Sequence, residues 1–69
     1  MDMKPVKSSN IAAVGYDDGS QTMHVEFANG NTYKYLGVEP GAHEAFVNAD
    51  SVGNHFFRQI RNSYKSEKV

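Results

Sequence analysis

The chain predicts an α+β fold in which a three-stranded antiparallel β-meander is followed by two C-terminal helices packed on one of its faces (β-β-β-α-α). Three observations carry this prediction. A short apolar run over residues 11–16 is followed by two runs with a period of two, an Ala28-Asn29-Gly30 turn divides these two runs, and beyond Val38 the apolar spacing switches to three and four.

Residues 1–9 are polar, include Pro5 and show neither period, so a flexible lead-in is expected. Residues 11–16 form a short apolar run closed by the turn cluster Asp17-Asp18-Gly19-Ser20, and read as the first strand. Gly15 within it marks a candidate bulge or a close backbone approach. In residues 22–27, Met23, Val25 and Phe27 take one face of a strand while Thr22, His24 and Glu26 take the other. Residues 32–36 follow as the third strand, with Tyr33 and Tyr35 on one face. The pleat decides between two registers. A two-residue Asn29-Gly30 turn sets Lys34 opposite Val25 and places a lysine on the apolar face. A three-residue loop with Gly30 left-handed instead sets Val25 opposite Tyr33 and Met23 opposite Tyr35. The second register is expected, because a one-residue slip moves every side chain to the wrong side.

Pro40 suits a first helical turn, and Ala42, Ala45, Phe46 and Ala49 recur at helical spacing, predicting a helix over residues 40–49. Asp50 or Ser51 then caps a second helix from Val52 to about Lys65, with Val52, Phe56, Phe57, Ile60 and Tyr64 on one arc. Gly53 costs its first turn about 1 kcal/mol relative to Ala, which close packing against the sheet or the first helix would explain. Residues 66–69 are expected to fray, leaving residues 10–65 as a single domain.

Composition narrows the function. A chain of 69 residues buries only about 60% of its unfolded surface, and per-residue values give a net stability of about 3–10 kcal/mol. A deep substrate cavity would remove core that such a fold needs, so a binding module is expected rather than an enzyme. There are no cysteines, which excludes disulfides, thiolate catalysis and cysteine zinc sites. Neither a run of ~18 apolar residues nor the apolar core of a signal peptide is present, and a cytoplasmic location without membrane contact is expected. Seven basic and eight acidic residues give a net charge of −1, so nucleic acid would have to be held by a local patch.

Catalytic and metal chemistry find little support. His24, His43 and His55 fall on separate elements without H-x-x-x-H or H-x-H spacing, so neither a metal nor another cofactor is expected. The serines lack a G-x-S-x-G elbow, no glycine-rich phosphate loop occurs, and the adjoining Asp17 and Asp18 sit in a solvated turn. Two features remain. Tyr33 and Tyr35 serve either as the floor of the core or, if exposed, as a platform on which bases stack, and the register favours the core. Arg58, Arg61, Lys65 and Lys68 lie within a sector of about 80° on the last helix. They form either a solvated face at a helix C-terminus or a phosphate-contacting stripe, which Lys34 extends.

The motif series is Ser9-Asn10-Ile11, Gly15-Tyr16-Asp17, Val25-Glu26-Phe27 with Gly30, Tyr33-Lys34-Tyr35, and Ser51-x-Gly53 with Phe56, Phe57, Ile60, Arg61 and Tyr64. In this order and at these spacings it resembles the KTSC domain, over residues 9–64. That family is named for its occurrence at the C-terminus of some lysyl-tRNA synthetases, and it also occurs as short stand-alone proteins in bacteria and phages. The resemblance implies a non-catalytic domain for which RNA binding has been suggested, and its Y-x-Y signature falls on Tyr33 and Tyr35. The expectation is therefore a nucleic-acid-binding module, RNA first. Lys34, Arg58, Arg61 and Lys65 would hold phosphates, and Tyr33 or Tyr35 would stack a base. The alternative is a protein-binding adaptor that uses a sheet edge or the outer helix face.

Overall fold

Strands form over the three expected runs, and two further strands extend the sheet at its edges. The computed structural model describes residues 3–69. In chain order the elements are β1 (Lys4–Pro5), β2 (Ile11–Asp17), β3 (Thr22–Phe27), β4 (Thr32–Leu36), α1 (Pro40–Val47), α2 (Val52–His55), a π-helical turn continuing it (Phe56–Ile60), and β5 (Lys65–Lys68). The five strands pair in sequence order, each antiparallel to its neighbour. Among the described residues no helix is long and apolar enough to cross a membrane.

The β3–β4 register is the one the pleat favours, with Val25 opposite Tyr33 and Met23 opposite Tyr35. Its loop closes through the Phe27 amide donating to the Asn31 carbonyl (2.8 Å) and the Gly30 amide donating to the Phe27 carbonyl (3.0 Å). Gly30 has φ +94°, a conformation that is cheap only without a Cβ. Of the two roles considered for Gly15, a bulge or a close backbone approach, the bulge is not there: the register of β2 shifts between Ile11 and Ala13 instead. Ile11 and Val14 are three residues apart, so a strict pleat would send them to opposite faces. The irregularity allows both to enter the core while Ala12 is exposed.

The sequence expectation fails at both ends of the chain, for a shared reason. A three-stranded meander leaves the outer edges of β2 and β4 with unpaired amides and carbonyls. The polar ends of the chain satisfy them. Where a flexible lead-in was expected, Lys4–Pro5 pairs with Ala13 and Val14, and the Val6 amide donates to the Ala12 carbonyl at 3.2 Å. Met1 and Asp2, the start of that lead-in, lie outside the described residues. Where a helix end and a frayed tail were expected, Lys65–Lys68 pairs with β4, and the Val69 amide donates to the Thr32 carbonyl at 2.9 Å. The second helix thus stops short of the predicted Lys65. The Arg61 amide bonds the Phe56 carbonyl (2.8 Å), five residues back, and the chain then turns away, the Ser63 amide donating to the Ile60 carbonyl at 3.1 Å.

Both helices pack on one face of the sheet. Ser51 caps α2, its hydroxyl oxygen accepting from the Asn54 amide at 3.3 Å. Ile11, Met23, Val25, Val38, Phe46 and Ile60 are essentially fully buried. Phe56 joins them and meets Phe27, Tyr35 and Phe57 edge-on, with centroid separations of 5.3, 5.6 and 5.8 Å, and Phe46 at a tilt, at 6.2 Å. At the other end of the sheet the Tyr16 hydroxyl donates to the Val38 carbonyl at 2.5 Å, and its ring stacks on His43 of α1 at 4.4 Å.

That stack gives the fold a pH dependence. Partial burial against Tyr16 holds the His43 imidazole below its ordinary pKa, with Lys4 acting in the same direction and Glu44 opposing. The unfolded chain therefore takes up this proton at a higher pH than the folded one. The contribution of neutral His43 is complete above the unfolded value of about 6.5 and is lost as pH falls through the folded value. Thermal melts should show a midpoint that declines from about pH 7 towards pH 5. In His43→Phe, which keeps a stacked ring without the titration, that decline should be shallower. An unchanged pH profile in His43→Phe would remove His43 from the explanation.

A candidate ligand cleft between the sheet and the second helix

The π-helical turn shapes the site. It places Phe56 and Ile60 in the core and leaves Phe57 48% exposed, although an α-helical arc would have carried all three to the same face. Arg61 follows one turn later, and its guanidinium carbon lies 5.4 Å from the centre of the Phe57 ring. Beneath this pair a cleft of about 640 Å³ opens between α2 with its π-turn and the helix-facing side of β3 and β4. Phe27, Tyr33, Tyr35, Phe56 and Phe57 supply apolar walls. Asn10, Asn29, Asn62, Ser66 and Arg61 supply the polar groups around them.

Three of the site residues predicted from sequence meet here: Tyr33, Tyr35 and Arg61. The tyrosines divide the two roles considered for them. Tyr35 is buried against Phe56, and burial raises its phenol above the ordinary value, with Tyr33 adding to the shift and the nearby Arg61 guanidinium opposing it. Tyr33 is only half-buried, sits edge-on to Phe27 at 5.8 Å, and presents the accessible aromatic surface of the pair.

The other predicted residues do not gather with them. Lys65 and Lys68 are on β5, so the single basic sector expected on the last helix does not form. The pairing of β5 with β4 sets Lys68 beside Tyr33 and Ser66 beside Tyr35, on the cleft side, whereas Lys65 and Glu67 alternate to the opposite face. Lys34 lies on that opposite face too, between His24 and Glu67, and its ammonium is paired with Glu67 at 3.4 Å. Arg58 is exposed on the π-turn and does not line the cleft. Sequence reading missed Phe57, which it assigned to the core arc, and it missed Asn10, Asn62 and Ser66, for which no local pattern signals a shared site. The histidines stay apart, and among the described residues no group of three or more His, Asp or Glu side chains is placed to hold a metal ion.

Gly53 belongs to the floor of this region. The close approach expected there from the sheet or α1 comes instead from the N-terminal segment: a Cβ at Gly53 would stand 3.3 Å from the Ser8 hydroxyl oxygen and 3.8 Å from the Asn10 amide nitrogen. Ser8 is itself fixed, accepting from the backbone amides of Asn10 (3.2 Å) and Ile11 (3.3 Å).

Fold and cleft together define a small α+β domain with an aromatic-walled recess on the helix-bearing side of its sheet. The chain matches the KTSC domain model over residues 7–64, and it belongs to that family. A KTSC domain protein from Yersinia pestis, known from a crystal structure, superposes with a TM-score of 0.93 at 36% identity, covering 99% of this chain and 96% of that one. An uncharacterized protein from Stutzerimonas stutzeri is 41% identical over 51 residues, 74% of this chain and 72% of its own length. A lysine–tRNA ligase from Nostoc punctiforme is 36% identical over 67 residues, which is 97% of this chain but 12% of the ligase.

The adjacent phenylalanines should separate folding from the site. Phe56→Ala empties the centre of the aromatic cluster and should cost about 3–5 kcal/mol, a large part of the roughly 3–10 kcal/mol expected of a domain this small. Phe57→Ala should cost less than about 1 kcal/mol, because the ring is half exposed. Urea denaturation of both variants checks this, and equal costs would show that Phe57 is a core residue.

Proposed function

We propose that this domain is a non-catalytic binding module that receives an unstacked base of single-stranded RNA in the aromatic cleft. The observation that carries this reading is the exposed Phe57 ring, held under the Arg61 guanidinium at the mouth of a recess that also presents Tyr33. Half-exposing a phenylalanine beside an apolar recess gains the fold little, whereas a base stacking on such a ring contributes about 1–3 kcal/mol. Arg61 adds a cation beside the ring for the neighbouring phosphate, and the side-chain amides of Asn10, Asn29 and Asn62 offer donors and acceptors to base edges. The likeness to lysine–tRNA ligases supports RNA as the ligand class.

A catalytic reading has less behind it. Neither a carboxylate nor an imidazole is among the residues lining the cleft, so the commonest acid–base groups of catalysis do not line it. The adaptor reading through a sheet edge also loses ground. One edge strand is two residues long and contains Pro5, and the other carries Lys65, Glu67 and Lys68, both of which discourage strand addition.

Fluorescence anisotropy with labelled single-stranded RNA and duplex DNA, at low and near-physiological salt, tests the proposal. Single strands should bind and duplexes should not, because duplex bases are already stacked. Phe57→Ala and Arg61→Glu should each weaken binding about tenfold or more, whereas Arg58→Glu should change it little. With one or two phosphate contacts the salt dependence should be shallow, a log–log slope of about −1. Binding that is indifferent to Phe57→Ala, or that prefers duplex, would overturn the proposal.

A further inference from the structure

The aromatic cleft continues past Phe57. A second cleft of about 290 Å³ adjoins it and shares Asn10, Gly53 and Phe57 with it, but its walls are polar. Lys7, Ser8 and Ser9 form one side, and Asp50, Ser51 and Asn54 form the other. The geometry points to a phosphodiester subsite here: a strand whose base fills the aromatic cleft, with one flanking phosphate near Arg61, passes over Phe57 and lays its other flanking phosphate among Lys7, Ser8 and Ser51. This inference rests on reading the first cleft as a base site.

The hydrogen-bond inventory sets the chemistry of this subsite. The Ser8 oxygen already accepts from the amides of Asn10 and Ile11, and the Ser51 oxygen accepts from the amide of Asn54. With their oxygens engaged in this way, the hydroxyl protons are what the two serines offer to a ligand. Two such donors and the exposed Lys7 ammonium suit a group that only accepts, and a phosphodiester is one. Gly53 suits the arrangement, because a Cβ there would stand 3.3 Å from the Ser8 hydroxyl oxygen and press it to shift. Asp50 is the opposing charge on the same rim, exposed to solvent, so Lys7 and Asp50 leave the lining formally neutral and the serine hydroxyls decide what it accepts. The two clefts therefore differ in character as a base and a backbone differ, and the ring that divides them is the one proposed to stack.

The test is an NMR titration of the isotopically labelled protein with three probes: adenosine, the dinucleoside monophosphate ApA, and ApA with a neutral methylphosphonate linkage. Adenosine should shift the amide signals of the aromatic cleft. ApA should bind about tenfold more tightly and also shift Lys7, Ser9 and Asn54, while the neutral analogue should fall back to the affinity of adenosine. Lys7→Glu should remove the gain for ApA and leave adenosine binding unchanged, and Asp50→Asn should strengthen ApA binding about two- to threefold. If adenosine binds but ApA and its neutral analogue bind equally, or Lys7→Glu has no effect on ApA, the subsite is overturned while the base site stands. If neither adenosine nor ApA shifts the aromatic cleft, both readings fall.

Discussion

Phe56 is where the sheet, the first helix and the second helix meet, and the other features of the molecule depend on its packing. Its ring reaches Phe27 and Tyr35 on the strands, Phe46 on α1 and Phe57 beside it, each within 6.2 Å. Burying such a side chain contributes about 1.5–3 kcal/mol, and edge-on aromatic pairs add about 0.5–1.5 kcal/mol each. A cysteine-free domain of this size has about 3–10 kcal/mol in total, so these contacts form a large part of it. They also set the geometry of the site. With Phe56 held in the core, the π-helical turn leaves its neighbour Phe57 outside, above the gap between the helix and the strands.

The chain ends finish what the meander begins. β1 and β5 cover backbone edges that would otherwise invite pairing with other chains, and each end brings polar side chains towards the clefts. β5 delivers Ser66 to the cleft wall and Lys68 to the tyrosine face, while its alternate residue Glu67 neutralises Lys34 on the opposite face. The segment after β1 places Lys7, Ser8 and Asn10 against α2, with Gly53 allowing the approach. One face of the sheet pairs a cation with an anion, and the helix-bearing face keeps Arg61 and Lys68 near the recess.

The sequence shows the middle of this molecule better than its ends. β3 and β4 were legible because Met23, Val25, Tyr33 and Tyr35 alternate strictly and because the wrong register would have placed Lys34 on the apolar face. The Ser51 cap and the Pro40 start were legible from local chemistry. β5 was not, because Lys-Ser-Glu-Lys has no apolar alternation, and it becomes a strand only through the free edge that β4 offers it. The end of the second helix was misplaced because Tyr64 falls on the arc of a regular α-helix, and the widened turn at 56–60 breaks that count. The same error created the basic sector: Arg58, Arg61, Lys65 and Lys68 align only on a helix that does not extend so far. Tyr33, Tyr35 and Arg61 were recognisable as candidates from their residue types, but their meeting with Asn10 and Ser66 is a tertiary fact.

A map of amide chemical-shift changes at saturating single-stranded RNA separates the cleft from every other surface. Changes should concentrate at Asn10, Asn29, Phe57, Arg61, Asn62 and Ser66, and His24, Glu26 and Lys34 on the opposite face should stay still. Changes centred on that opposite face, or on Arg58 with the cleft unmoved, would contradict the assignment of the aromatic cleft as the binding site.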